Sequence, residues 1–296
     1  MHKLTDKELL QELQARFNEN VKSVEELKMV NQQLIEVNKK LEESEAMKSH
    51  FISNITNEII NPFTSILGLA KNILNVDKEN WKKVFSMVAM IHTEAFNLDF
   101  QLRNIFVAAK IEAGEVQPEI LKVDLDNLIQ NVLDSFRIEA KKKKLTLKYI
   151  HDRTKESPLF FNTDPEKMKL ILSNLLSNAI KFSYDEGNIE IACVRNNNSL
   201  VLKVKDYGEG ISDTNQKIIF ERFKRLDTGI NSINRGHGLG LSVNKALIDM
   251  LKGKIQIISQ VKKGALFELI FPELEENVKG FASDGNEFIF DADSIF

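Results

Sequence analysis

Asn174-Leu-Leu-Ser-Asn178-Ala-Ile-Lys181 is the stretch on which the reading of this chain turns. Asn174, Asn178 and Lys181 stand at i, i+4 and i+7, so on a helix they project from one face. Amide oxygens are hard donors of the kind Mg2+ takes. An ammonium group one turn further on adds a point charge for phosphate oxygens. Taken alone, the segment reads equally as a helix whose polar face meets water, since Asn is a common surface residue and a mediocre helix former.

Two later segments change that balance. Leu200-Val-Leu-Lys-Val-Lys205 alternates apolar and charged residues as a half-buried strand does, and it ends on Asp206-Tyr-Gly-Glu-Gly210. A carboxylate there can accept a hydrogen bond from the exocyclic amine of adenine, while Gly208 and Gly210 let the backbone turn and approach a base closely. In isolation this segment is an ordinary acidic turn. Gly236-His237-Gly238-Leu239-Gly240 then opens onto an amphipathic helix over residues 241–251, closed by Gly253. Free amides at a helix start, with the dipole behind them, receive phosphate oxygens. No Gly-Lys-Ser/Thr follows, so this is not a P-loop, and it lacks the Rossmann spacing and a strand directly before it. By itself it is also readable as a flexible loop. In this order and at these separations, the three segments make ATP binding the leading reading.

From about Val123 to Pro272 the chain resembles the catalytic ATP-binding domain of sensor histidine kinases, within the GHKL group that includes gyrase-type ATPases. The resemblance rests on an asparagine box from Asn174 to Phe182, a glycine box from Asp206 to Gly210 and the segment Ile219-Phe-Glu-Arg-Phe223. It continues in a second glycine box from Gly236 to Gly240 and in Gly264-Ala-Leu-Phe267. It implies that ATP is held by Asn174, Asn178, Lys181, Phe182, Asp206, Gly208, Gly210, Gly236, His237, Gly238, Leu239 and Gly240. Phe182 would stack on adenine, Asn178 would bind Mg2+, and residues 224–237 would form a lid.

The first half resembles the companion dimerisation domain. Residues 51–69, with Pro62 inside them, are similar to the phosphoacceptor helix, and Lys110-Ile-Glu-Ala-Gly114 to the close of the second helix of a hairpin. Pro62 is expected to kink its helix, because it removes an amide donor and crowds the preceding turn. The family places its phosphorylated histidine immediately before Glu58, where this chain has Asn57. Imidazole nitrogen is a nucleophile near neutral pH; a carboxamide nitrogen, its lone pair delocalised, is not. Asn57 therefore marks the acceptor position without being competent there. His50 lies seven residues earlier, about 10 Å along a helix, and His92 fits no acceptor motif. By the resemblance, Glu58 assists proton removal during self-phosphorylation, and Asn61 orients water for dephosphorylating a response regulator.

The 296 residues allow about two domains, and 43% hydrophobic content suffices for a core. The net charge of −3 argues against nucleic acid as the main partner. Lys141 to Lys144 read as the solvated end of a helix. The single cysteine, Cys193, excludes an internal disulfide framework and falls in an alternating run where a core position is expected. No run of about 20 apolar residues or signal-peptide core appears, so a soluble, cytoplasmic chain without a membrane segment is expected.

Leu10, Phe17 and Val24 share one heptad position, with Leu13, Leu27, Leu34 and Leu41 at its partner, and Asn31 and Asn38 continue the first series. Asparagine there favours a parallel two-stranded coil. In that register Asn57 points outward.

The expected architecture is α+β: an N-terminal coiled coil, a helical hairpin that dimerises into a four-helix bundle, then an α/β sandwich of GHKL type. We place the coil at 1–46, the hairpin at 47–115, the ATP-binding domain at 116–273 and a tail or linker at 274–296. Within the third segment we expect helices at 125–141, 164–181 and 240–252, with strands at 145–150, 187–195, 199–206, 254–260 and 265–271. The partners implied are a second copy, a response-regulator receiver domain, and an upstream sensor domain or protein. Beside the kinase reading stand an ATP-responsive scaffold without catalysis and a regulator phosphatase using Asn61.

Overall fold

The structure is a computed structural model, and it describes residues 6–76, 80–151, 159–221, 238–274 and 281–282. The chain divides into two compact units, residues 1–54 and 55–296.

The first unit is helical throughout its described length, belonging to helix α1 (Asp6–Leu74). Both heptad positions stand open on it: Leu10, Phe17, Leu27 and Leu34 are each more than half exposed.

In the second unit α1 continues through Pro62 without interruption. Helix α2 (Trp81–Glu112) follows, and Ala113 and Gly114 end it through backbone bonds to Ala109 and Ile111, with Gly114 at φ +70°. The remaining elements build a mixed sheet with helices on one face, as expected for an α+β sandwich. The five-stranded sheet has the order β2 (Thr146–His151), β4 (Asn188–Asn196), β5 (Ser199–Asp206), β7 (Ala265–Pro272), β6 (Lys254–Ser259). Its β2–β4 pair is parallel and the others are antiparallel. Asn197, at φ +51°, makes the tight β4–β5 hairpin turn.

The parallel pair needs a crossover, and α5 (Pro165–Phe182) provides it. Asp164 caps α5 by accepting from the Lys167 amide at 3.0 Å, and Pro165 occupies the first turn, where no donor is lost. Asp164 Oδ2 also accepts from the Glu119 amide at 2.8 Å, fastening the segment after α2 to the start of α5. Ile171, Leu172, Leu175 and Leu176 of α5 are buried with Leu247 and Ile248 of α7 (Gly240–Met250). The same core takes in the inward strand residues Ile189, Ile191, Leu200, Leu202, Phe267 and Leu269. Cys193 is buried among the inward strand positions, as its alternation suggests.

Three features depart from the sequence reading. The helix expected over 125–141 is two, α3 (Leu125–Ser135) and α4 (Arg137–Lys142). Phe136 between them is 1% exposed and meets the rings of Phe96 and Phe100 on α2 edge-on, at 5.3 and 5.9 Å. Burying that ring takes the backbone out of helical register. A second, three-stranded sheet joins β3 (Phe160–Thr163), β1 (Leu121–Asp124) and β8 (Phe281–Ala282), strands too short to show a periodicity. Finally, Lys143 is not a solvated helix end. Its ammonium donates to the carbonyls of Ile180, Lys181 and Ser183 at 3.1, 2.6 and 3.2 Å, closing the C-terminus of α5. A further short helix, α6 (Asp213–Gln216), is capped by Ser212.

Candidate nucleotide site

Asp206 lies one register step beyond Leu200, Leu202 and Val204 on β5, in the buried phase of the alternation, and is itself 6% exposed. A carboxylate in a core position signals a ligand or a dedicated partner. Its Oδ1 accepts from the amides of Gly208 at 3.0 Å and Ala265 at 3.2 Å. Burial raises its pKa above the ordinary aspartate value, and the two amide bonds oppose the rise.

The turn after Asp206 rests on the end of α5. The Glu209 amide donates to the Phe182 carbonyl at 3.1 Å. Gly208 passes so close that a Cβ there would overlap the same carbonyl, so no other residue fits without moving backbone. The turn is held from its far side by Ser259, whose hydroxyl accepts from the Ile211 amide at 2.8 Å and donates to the Gly264 carbonyl at 2.7 Å. Ser183, adjacent to Gly208, has a buried hydroxyl oxygen without a hydrogen-bond partner.

On α5, Asn178, Lys181 and Phe182 are half-buried, and the Lys181 ammonium lies 5.1 Å from the Phe182 ring centroid. Asn174 is placed differently. It is 3% exposed, and its amide nitrogen donates to Asn104 Oδ1 on α2 and to Asn244 Oδ1 on α7, each at 2.8 Å. The Gly240 carbonyl lies 3.3 Å from the same nitrogen. Asn244 in turn donates to the Ile171 carbonyl, and Asn104 to the Phe100 carbonyl, both at 3.0 Å. Gly240 starts α7 directly against Asn174, and a Cβ there would stand 3.2 Å from Asn174 Oδ1.

Through α5 the structure thus brings together Phe182, Asp206 and Gly208 at the helix's C-terminal end, and Asn174, Leu239 and Gly240 at its middle. Gly210, at φ +67°, and Gly238, also at φ +67°, belong to the two glycine turns. Gly236, His237 and the segment 224–237 lie outside the described residues, as does the end of the Ile219–Phe223 segment. On α1, Asn61 is exposed, whereas the side chains of His50, Asn57 and Glu58 lie outside the described residues. His92 is exposed on α2.

Asn104, Asn244, Lys143 and Ser183 were not singled out from sequence. For the two asparagines a signal existed. Asn104 continues the i, i+4 spacing of Phe96 and Phe100, and Asn244 sits between Val243 and Leu247, so each is a polar residue in a core phase.

Residues 163–275 match the family described as histidine kinase-, DNA gyrase B-, and HSP90-like ATPase. Curated relatives include a circadian input-output histidine kinase, CikA, of Synechococcus elongatus, 28% identical over 82% of this chain and 32% of its own length. The sensor protein GacS of Pseudomonas syringae is 30% identical over 86% of this chain and 28% of its own. Hybrid signal transduction histidine kinase D of Dictyostelium discoideum is 29% identical over 88% of this chain and 17% of its own. The chain therefore spans a third or less of the length of these relatives. Full-length ShkA, solved in complex with AMPPNP, shares the fold at a TM-score of 0.53 and 20% identity, covering 78% of this chain and 46% of that one. Among the described residues no helix is long and apolar enough to cross a membrane. The chain thus carries an ATPase domain of this family in its second half and is similar to sensor histidine kinases across about four fifths of its length.

Proposed function

We propose that this chain binds Mg-ATP and works, as a homodimer, on a response-regulator receiver domain, with self-phosphorylation blocked at Asn57. The buried Asp206 carboxylate carries the reading. Its Oδ1 is fixed by two backbone amides, which orients the carboxylate toward an amine donor such as that of adenine, beside a glycine that no Cβ could replace. The orphaned Ser183 hydroxyl supplies a further polar group at the same turn. Phe182, Gly210, Lys181, Gly236, His237, Gly238, Leu239 and Gly240 are the proposed base and phosphate contacts, with Asn178 sharing Mg2+ with the phosphates. Mg2+ would draw charge from the transferring phosphoryl group.

The acceptor side lacks its nucleophile. A histidine at position 57 would attack the γ-phosphorus through a ring nitrogen; the Asn57 carboxamide has no such lone pair. Asn61, exposed one turn further along α1, favours a second reading in which its amide holds a water against a phosphorylated receiver domain. Glu58 would then serve the restored kinase only.

The test compares the parent with Asn57→His in γ-labelled Mg-ATP, followed by addition of a receiver domain phosphorylated with acetyl phosphate. Acid-labile label is expected on Asn57→His and not on the parent. Parent-dependent loss of the receiver's phosphate, abolished by Asn61→Ala, establishes the phosphatase. Mg-ATP binding with neither activity leaves a nucleotide-responsive scaffold. No Mg-ATP binding to the folded parent refutes the reading, and strong parental label removed by His50→Ala moves the acceptor.

A further inference from the structure

The asparagine cluster joins three helices in a way that the nucleotide reading does not use. Asn104, Asn174 and Asn244 are 5%, 3% and 0% exposed, and both amide hydrogens of Asn174 have oxygen acceptors on other helices. One acceptor, Asn244, belongs to α7 itself. The other, Asn104, belongs to α2, outside the α/β sandwich. Elsewhere in the α2 seat the rings of Phe96 and Phe100 pack on Phe136, Asn97 hydrogen-bonds Glu139 on α4, and Arg103 lies 3.9 Å from Glu166. Asn104 is the polar group of that seat that reaches Asn174.

We propose that Asn104 is a positioning residue for the nucleotide site: it sets Asn174, and through Asn174 the first turn of α7, according to whether α2 is seated. This rests on the ATP reading above. If Asn104 leaves, one N–H of Asn174 loses its acceptor in a dry interior, a cost the side chain relieves by re-pairing. The neighbouring acceptor is the Gly240 carbonyl, already 3.3 Å away. Gly240 packs on the Asn174 amide without a Cβ between them, so rotation of that amide displaces the α7 start, where the glycine turn would receive phosphate. Seating of α2 and nucleotide binding are thereby coupled, and coupling of this kind is reciprocal.

Mg-ATP affinity by calorimetry, melting temperature and amide exchange test the coupling. Asn104→Leu keeps the branched arrangement of heavy atoms and removes the acceptor. Asn104→Asp keeps an acceptor for Asn174 and, when protonated, an O–H for the Phe100 carbonyl. Weakening of Mg-ATP binding by about fivefold or more in Asn104→Leu, with Asn104→Asp close to the parent, is expected. A packing role predicts the reverse order, since leucine suits an apolar seat and a buried carboxyl group does not. In the parent, where no variant need fold, saturating Mg-ATP is expected to change amide exchange around Asn104 on α2. Unchanged or tighter binding in Asn104→Leu, or α2 exchange indifferent to Mg-ATP, overturns the proposal. A folded parent that binds no Mg-ATP overturns the nucleotide reading, and this proposal with it.

Discussion

Asp206 continues the inward alternation of β5, yet its side chain is acidic. The resulting burial raises its protonation range, against the pull of the Gly208 and Ala265 amides. The carboxylate accepts a hydrogen bond from an amine, and the neutral acid loses most of that capacity. Mg-ATP affinity is therefore expected to fall as pH descends, beginning at a higher pH than an ordinary aspartate would give. Asp206→Asn should abolish that dependence. Asp206→Ala should weaken binding by about 1.5–3 kcal/mol, read by calorimetry at pH 7.5. Cys193 offers a separate check of the same core. Burial pushes its thiol up to about 12, with the charge of Asp126 adding to the effect. Alkylation at pH 8 should be slow in the folded protein and rapid in urea, because the thiolate is the reactive form.

Helix α5 carries candidate groups from its middle to its C-terminal end, and its last turn is closed by a lysine from another element. Lys143 gives its charge to three terminal carbonyls, two of them belonging to Ile180 and Lys181. Lys143→Met, which keeps the stem, should cost about 2 kcal/mol of stability by urea unfolding. The Asp206 turn stands on Phe182 and Ser183, so nucleotide affinity should drop in the same variant. A loss of stability with unchanged affinity would show that the α5 terminus does not position the turn. α3 and α4 show the complementary effect, in which one buried ring overrides local helical propensity.

Among the described residues, the heptad stripe of residues 10–41 stands open: Leu13 is 59% and Leu27 68% exposed. Trp81 and Phe85 at the start of α2 are also largely exposed, at 76% and 78%. A second copy would cover both surfaces, as the heptad pattern favours. Sedimentation equilibrium is expected to give a dimer at micromolar concentration, and Leu27→Glu with Leu34→Glu to shift it toward monomer. A monomeric parent would count against the homodimer.

The sequence by itself determined the fold class, the second hairpin helix and the principal helices and strands of the sandwich to within a few residues. Period-2 and period-3.6 patterns are local and strong in segments such as 199–206 and 165–182. It also singled out candidate nucleotide groups, because Asp206 and the glycines are informative by type and spacing. Tertiary structure alone decided what those groups face. Asn174 and Asn178 occupy one helix face, yet the neighbouring helices α2 and α7 bury the first and leave the second half-buried. Lys143 and Lys144 are adjacent in sequence. One closes the end of α5, while the other pairs with Glu186 at 2.6 Å on the surface. Periodicity reports a side chain's direction along its own element; what packs against it depends on contacts dozens of residues away, such as the 70 positions between Asn104 and Asn174.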